Sequence, residues 1–145
     1  DPSKIPRRFF EKAATIKGAF QFGVKVDPED LPRVDLIVLG SVAVGRDGSR
    51  IGKGEGYGEI EYAILREYGR VEEETLIATN IHDLQLLDSV PQDPYDVPVD
   101  VIATPTKIIR TQSNKPKPKG IIWELLTEEK LNEIPLLRIL KEKRK

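Results

Sequence analysis

The segment Arg50-Ile51-Gly52-Lys53-Gly54-Glu55-Gly56-Tyr57-Gly58-Glu59 carries glycine at every second position from Gly52 to Gly58. Glycine allows close approach of a backbone to a ligand, and successive N–H groups can converge on an anion. A helix beginning at the last of these glycines adds unpaired amides and the positive end of its dipole, which suits phosphate. Arg50 and Lys53 contribute mobile positive charge, and Glu59, in the first helical turn, is placed to hold a Mg²⁺ that bridges phosphate oxygens. The pattern is neither a Walker loop nor the dinucleotide fingerprint. From the residues alone, it reads either as a phosphate loop or as a flexible surface turn.

Other residues carry weaker signals. His82, the sole histidine, follows an apolar run in Asn80-Ile81-His82-Asp83. Strand ends in open α/β sheets line ligand crevices, so His82 could move a proton together with Asp83; the alternative is a histidine that hydrogen-bonds its own loop. Asp96 and Asp100 flank an apolar run and either line a site or organise the loop ahead of a strand. Trp123 reads as a core residue. Lys107, Arg110, Lys115, Lys117 and Lys119 form a basic run, which is either a solvated loop or a surface for nucleotide or RNA phosphate.

These groups need a scaffold. Ser3 is expected to cap a helix over residues 6–15, and residues 20–26 read as a strand. The continuous apolar run over 35–40 predicts a strand buried on both faces. A Gly45-Arg46-Asp47-Gly48 turn leads to the glycine segment and then to a helix over 58–68, stopped by Gly69. Residues 74–80 and 99–104 predict further strands. Strands alternating with helical patterns suggest parallel βαβ units in one layered α/β domain spanning residues 1–145. Residues 113–119 are expected to form an exposed basic Pro/Lys loop. Thr127-Glu128-Glu129-Lys130 resembles a capped helix start, Pro135 interrupts that helix, and 141–145 form a charged tail.

Composition narrows the class. The chain has 145 residues and is 32% charged, but 23 basic and 24 acidic side chains leave a net charge of −1, which gives no sign of an overall polyanion binder. It has no cysteine, which excludes disulfides and thiolate metal sites. No apolar run approaches the roughly 20 residues of a membrane span, so a cytoplasmic protein is expected. From the absence of methionine, either an N-terminus made by processing or proteolysis or a missing first part of the protein is expected, and abundant Glu, Lys and Arg are compatible with a thermophile.

The ordered motifs carry a resemblance. The run 35–40 followed by residues 42–58 resembles the signature of the 5-formyltetrahydrofolate cyclo-ligase family, an apolar strand and an Asp-x-x-Gly turn leading to Leu-Gly-Tyr-Gly-Gly-Gly-Tyr-Tyr-Asp-Arg. Phe22-Gly23-Val24, Gln85 and the segment 95–104 continue the match, which covers about 20–109. The resemblance implies a layered sheet of mostly parallel strands with flanking helices, of the NagB/RpiA/CoA-transferase-like kind, incomplete without its N-terminal portion. It also implies ATP and Mg²⁺ as cofactors and a folate-type substrate. By position, Arg50, Gly52, Lys53, Gly54, Glu55, Gly56, Tyr57 and Gly58 would bind nucleotide. Tyr57 and Glu59 would be catalytic, with Glu59 on the metal and His82, Asp96 and Asp100 lining the site. In that family ATP phosphorylates the formyl oxygen of 5-formyltetrahydrofolate, and attack by a neighbouring nitrogen displaces phosphate to give the methenyl product.

Departures accompany the match: Lys53, Glu55 and Gly58 replace a tyrosine, a glycine and a tyrosine, and Ile60 replaces the arginine after the acid. With the later Lys-Pro-Lys-Pro-Lys-Gly-Ile-Ile-Trp-Glu segment, they resemble the divergent methenyltetrahydrofolate synthetase domain-containing branch. The expected partners are a nucleotide, a folate-type substrate and the chain's own N-terminal fragment. The alternative is a nucleotide- or RNA-binding module that kept the loop but lost turnover.

Overall fold

The computed structural model describes residues 2–144, and the chain divides into two compact units, Asp1–Leu31 and Pro32–Lys145. In the first, 3-10 turns at Pro2–Lys4 and Arg7–Phe9 precede two short helices, α1 (Phe10–Ala13) and α2 (Ile16–Phe22). The strand expected over 20–26 is not formed. Thr15 caps α2 by accepting the Gly18 N–H on Oγ1 at 3.0 Å, and this commits the following residues to a helix. Phe22 then stacks on Phe9 with ring centroids 5.2 Å apart. Residues 23–27 are irregular. Ser3 lies inside the first 3-10 turn, so it caps no helix over 6–15.

The second unit is mixed α/β. Its elements are β1 (Leu36–Val38), β2 (Ala43–Gly45), β3 (Arg50–Ile51), α3 (Tyr57–Glu67), β4 (Leu76–Asn80), β5 (Leu86–Leu87), β6 (Val101–Ala103), β7 (Ile108–Arg110), α4 (Glu128–Glu133) and α5 (Pro135–Lys143). One sheet has the order β1-β4-β6-β7 and a smaller one β3-β2-β5. The pairs β1–β4, β4–β6 and β2–β5 are parallel, while β2–β3 and β6–β7 are antiparallel. Sequence reading missed β3, β5 and β7. All three are very short, and β7 is a hairpin return from β6 through a turn that the Thr104 N–H closes on the Lys107 carbonyl at 2.8 Å.

In β4, Ile77 and Thr79 point into the core and their neighbours point away, the period of two that a strand imposes. Ile77 meets Leu39, Val44, Tyr62, Val71, Val97, Val99 and Ile102 in the main cluster. A second cluster joins Ala63 and Ile64 to Ile121, Leu131, Leu137 and Leu140. Helix α3 therefore buries two faces, Tyr62 in the first core and Ala63 and Ile64 in the second, and its N-terminus is held from both sides. The run 35–40 does form a strand, but not one buried on both faces. β1 is the sheet edge, with Leu36 52% and Val38 62% exposed.

The loop over 113–119 is irregular, as expected, yet it is not uniformly exposed: Lys117 and Pro118 are buried. Lys117 Nζ donates to the carbonyls of Glu73 at 2.9 Å and Thr75 at 2.8 Å, and to Asp100 Oδ2 at 2.8 Å. The same Asp100 oxygen accepts the Ile77 N–H at 2.8 Å, and the Asp100 N–H donates to the Ile77 carbonyl at 2.8 Å. Asp100 thus extends the β4–β6 ladder with its side chain. Lys145, the last residue of the charged tail expected over 141–145, lies outside the described residues; the tail up to Lys143 belongs to α5. No helix among the described residues is long and apolar enough to cross a membrane.

Removing one member of a buried ion pair leaves the other charge uncompensated, which costs roughly 3–5 kcal/mol. The Asp100 side chain is 30% exposed, so Asp100→Ala is expected to lose about 2–3 kcal/mol, read from urea unfolding midpoints. Adding Lys117→Met should recover only part of that loss, because the uncompensated charge is then gone but the carbonyls of Glu73 and Thr75 lose their donor.

Candidate functional site

The glycine segment runs from β3 into α3, and its conformation follows from glycine at two positions. Gly54 has φ 87° and Gly56 has φ 71°, with no neighbour within 4 Å of where a Cβ would stand. Backbone conformation, not crowding, therefore requires glycine there. Gly56 is also the N-cap of α3 and has no side chain to satisfy the first-turn amides, which remain available to a ligand. They face a cleft of about 1170 Å³ lined by residues 52–61, by the ends of β1 and β3, by Gln92, Asp93, Tyr95 and Asp96, and by the segment from Pro118 to Lys130.

Arg50 and Glu59 lie at the floor. Their side chains are 2% and 12% exposed and form an ion pair between Arg50 Nη2 and Glu59 Oε1. Arg50 Nη1 donates to the Gly40 carbonyl at 2.8 Å, and its Nε is buried without a partner among the described residues. Burial pushes the Arg50 guanidinium below its ordinary value, while the Asp96 carboxylate acts in the opposite direction. Arg50 is thus not the mobile cation that the sequence suggested: it joins β3, the end of β1 and the first turn of α3. Lys53 and Glu55 are exposed on the loop.

Tyr57, the first residue of α3, is tied to α4. Its hydroxyl donates to Glu133, and Lys130 Nζ lies 3.7 Å from the ring centroid and 3.0 Å from Glu133 Oε2. These hydrogen bonds, the one from Tyr57 first, hold the Glu133 carboxyl below the usual carboxylate range. Sequence reading missed this wall of the cleft. Only the Thr127 cap marked α4, and nothing in the sequence pairs residues 57 and 133.

The remaining candidates separate. Asp96 lines the cleft, and its Oδ2 accepts the Asp93 N–H at 2.6 Å. Asp100 is the ladder residue described above, away from the cleft. His82 is exposed and caps a 3-10 turn, with the ring Nδ1 accepting the Leu84 N–H at 3.2 Å and the backbone N–H donating to Gln85 Oε1 at 2.8 Å. It is therefore a loop histidine outside the cleft. Its expected partner Asp83 is occupied by the hydroxyls of Thr104 and Thr106, each at 2.7 Å, and the bond from Thr106 leads those that hold the Asp83 carboxyl below the usual range. Gln85 Nε2 donates to the carbonyls of Ser41 and Val42, each at 3.0 Å, and fixes backbone that lines the cleft. Of the basic run, Lys117 is consumed internally, which removes one cation from any RNA surface.

The model of the 5-formyltetrahydrofolate cyclo-ligase family matches residues 13–105. The chain belongs to that family. A methenyltetrahydrofolate synthase domain-containing protein of Mus musculus is 42% identical over 99% of this chain and 39% of its own length. That of Danio rerio is 41% identical over 97% of this chain and 37% of its own length. The 5-formyltetrahydrofolate cyclo-ligase of Escherichia coli is a more distant relative, 29% identical over 58% of this chain and 45% of its own length. The chain therefore spans about two fifths of the length of the domain-containing relatives. The family-matched region carries the glycine loop, Arg50, Glu59 and Asp96, while the wall over 118–130 lies beyond it. Ile60, where the family's signature has an arginine, packs against the second core beside Ala63 and Ile64.

Burial raises the Asp96 carboxyl above its ordinary value of 3.8, against the opposing pull of the Asp93 N–H and of Arg50. A carboxyl with a raised folded value binds its proton more tightly when folded, so its ionisation costs stability above that value and costs nothing below 3.8. Asp96→Asn keeps the acceptor for Asp93. It should melt higher than the wild type at neutral pH, with the difference closing as pH falls below 3.8 in thermal scans followed by circular dichroism.

Proposed function

We propose that the chain is the phosphate-loop portion of an ATP-dependent ligase that acts on a folate-type substrate and forms 5,10-methenyltetrahydrofolate. The observation that carries this reading is the run of positive-φ glycines, Gly54 and Gly56, into the uncapped N-terminus of α3 above a cleft of about 1170 Å³. Membership of the cyclo-ligase family supports the substrate class.

In this reading, the amides of the loop and of the first turn of α3 bind the γ-phosphate of ATP. The formyl oxygen of 5-formyltetrahydrofolate attacks that phosphorus and ADP leaves. The neighbouring side-chain amine nitrogen then attacks the activated carbon and closes a five-membered ring, its proton is lost, and the C–O bond breaks with phosphate as the leaving group. A poor leaving oxygen has become a good one, so the protein's work is positioning and charge stabilisation. Arg50 holds Glu59 and the loop in register. Helix α4, through Tyr57, closes the opposite side.

Mg²⁺ in this scheme enters with the nucleotide. Among the described residues no group of three or more His, Asp or Glu side chains is placed to hold a metal ion, and Glu59 is already matched by Arg50. The side chains alone do not fit a metal centre, and the phosphates would supply most of its ligands.

Titration calorimetry with ATP tests the site. Gly54→Val places a β-branched residue at φ 87° and should weaken ATP binding at least tenfold, about 1.4 kcal/mol. Equal affinity in the two proteins would remove the loop from the site. The reaction is tested on the full-length protein by ultraviolet absorbance of the methenyl product, expected only when 5-formyltetrahydrofolate and ATP are both present. Tight ATP binding with no absorbance change would leave a nucleotide-binding module in place of the ligase.

A further inference from the structure

The cleft carries more negative than positive charge. Glu55, Glu59, Glu61, Asp93, Asp96 and Glu129 line it, opposed among the described residues by Arg50, Lys53 and Lys130. A polyanionic ligand must find cations there that are free to turn towards it. Arg50 is buried and already shared between Glu59 and the Gly40 carbonyl. Lys53 is exposed on the glycine loop, and its side chain would lose freedom on binding.

Lys130 differs from both. Its side chain is 23% exposed, and its ammonium is fixed over the ring of Tyr57, the first residue of α3, at 3.7 Å from the centroid. Its one carboxylate partner, Glu133 at 3.0 Å, is also held by the Tyr57 hydroxyl and does not line the cleft. The ammonium is therefore held over the side chain of the residue that opens α3, and the rotation that brings it to a ligand leaves Glu133 with the Tyr57 hydroxyl. Lys130 comes from α4, outside residues 13–105 of the family match but inside the span aligned with the domain-containing relatives.

We propose that Lys130, presented by α4 against Tyr57, is the phosphate-binding cation of the cleft and selects ligands that carry a polyphosphate. The proposal rests on the phosphate-loop reading above. In the bound state, the ammonium exchanges Glu133 for a phosphate oxygen while the Tyr57 ring keeps its stem in place. Glu133 thereby sets the affinity: it competes with the ligand for the same charge.

The test uses the whole chain, three probes (ATP, inorganic tripolyphosphate and adenosine) and the variants Lys130→Met and Glu133→Gln, with melting temperatures confirming that each variant folds. Lys130→Met is expected to weaken ATP and tripolyphosphate about tenfold, the size of a lost charge-assisted hydrogen bond, and to leave adenosine unchanged. Glu133→Gln is expected to tighten both phosphate ligands about threefold, because the competing carboxylate is gone. A lysine that only packs α4 on Tyr57 would weaken adenosine as much as ATP, and that result overturns the proposal. So does ATP affinity in Lys130→Met equal to that of the wild type. If Gly54→Val loses ATP while Lys130→Met keeps it, the phosphate-loop reading stands and this one alone falls. A wild-type chain that binds neither ATP nor tripolyphosphate removes both.

Discussion

The guanidinium of Arg50 is the point on which the rest of the cleft depends. Its stem leaves β3, one nitrogen reaches the carbonyl of Gly40 beyond the end of β1, and another meets Glu59 in the first turn of α3. Three elements that share no ladder are thereby fixed to each other at one planar group. Arginine suits this role because its donors form a rigid fork and its charge persists when buried. The arrangement has a cost: the side chain is desolvated, one nitrogen finds no partner, and the attraction of Glu59 must offset both. A short hairpin carrying a glycine loop has little else to hold it against the sheet. β3 is two residues long and pairs only with β2.

Helix α3 turns that local anchor into a fixed site. A surface helix buries one stripe, but α3 sends Tyr62 into the core under the main sheet and Ala63 and Ile64 into the core formed with α4 and α5. The Tyr62 phenol is buried without a hydrogen-bond partner among the described residues, and it is pushed up to about 12, chiefly by desolvation. Clamped on two sides, the helix presents its N-terminal amides in one direction. Ile60 belongs to the same logic: it packs towards the second core, so the position that is an arginine in the family's signature here serves the docking of α4 and α5.

Cations that look alike in the sequence are put to different uses by the fold. Lys117 is drawn inward to two carbonyls and to the Asp100 carboxylate, where it ties the loop after β7 to the start of β4. Asp100 completes a backbone ladder through its side chain. Lys130 remains at the cleft, held by an aromatic face and one carboxylate. Residues that look alike in a basic run or an acidic segment therefore have unlike roles, and their burial separates them.

Local chemistry was legible in the sequence. Alternating glycines before a helical pattern marked the loop, Gly69 marked the end of α3, Thr127 marked the start of α4, and the apolar runs gave β1, β4 and β6, because each of these signals acts within a few residues of itself. The ordered motifs also sufficed to indicate the cyclo-ligase family. What the sequence could not carry were relations between distant positions. The helix at 16–22 prevailed over a strand-like apolar pattern through a cap and a stacked pair of rings. Arg50 became a buried clamp, and Asp100 and Lys117 became a staple. His82 turned away from the cleft to cap its own loop, while α4 arrived opposite Tyr57 from some seventy residues away. Each of these outcomes depends on which groups lose water together, and that is decided only when the tertiary structure brings them into contact.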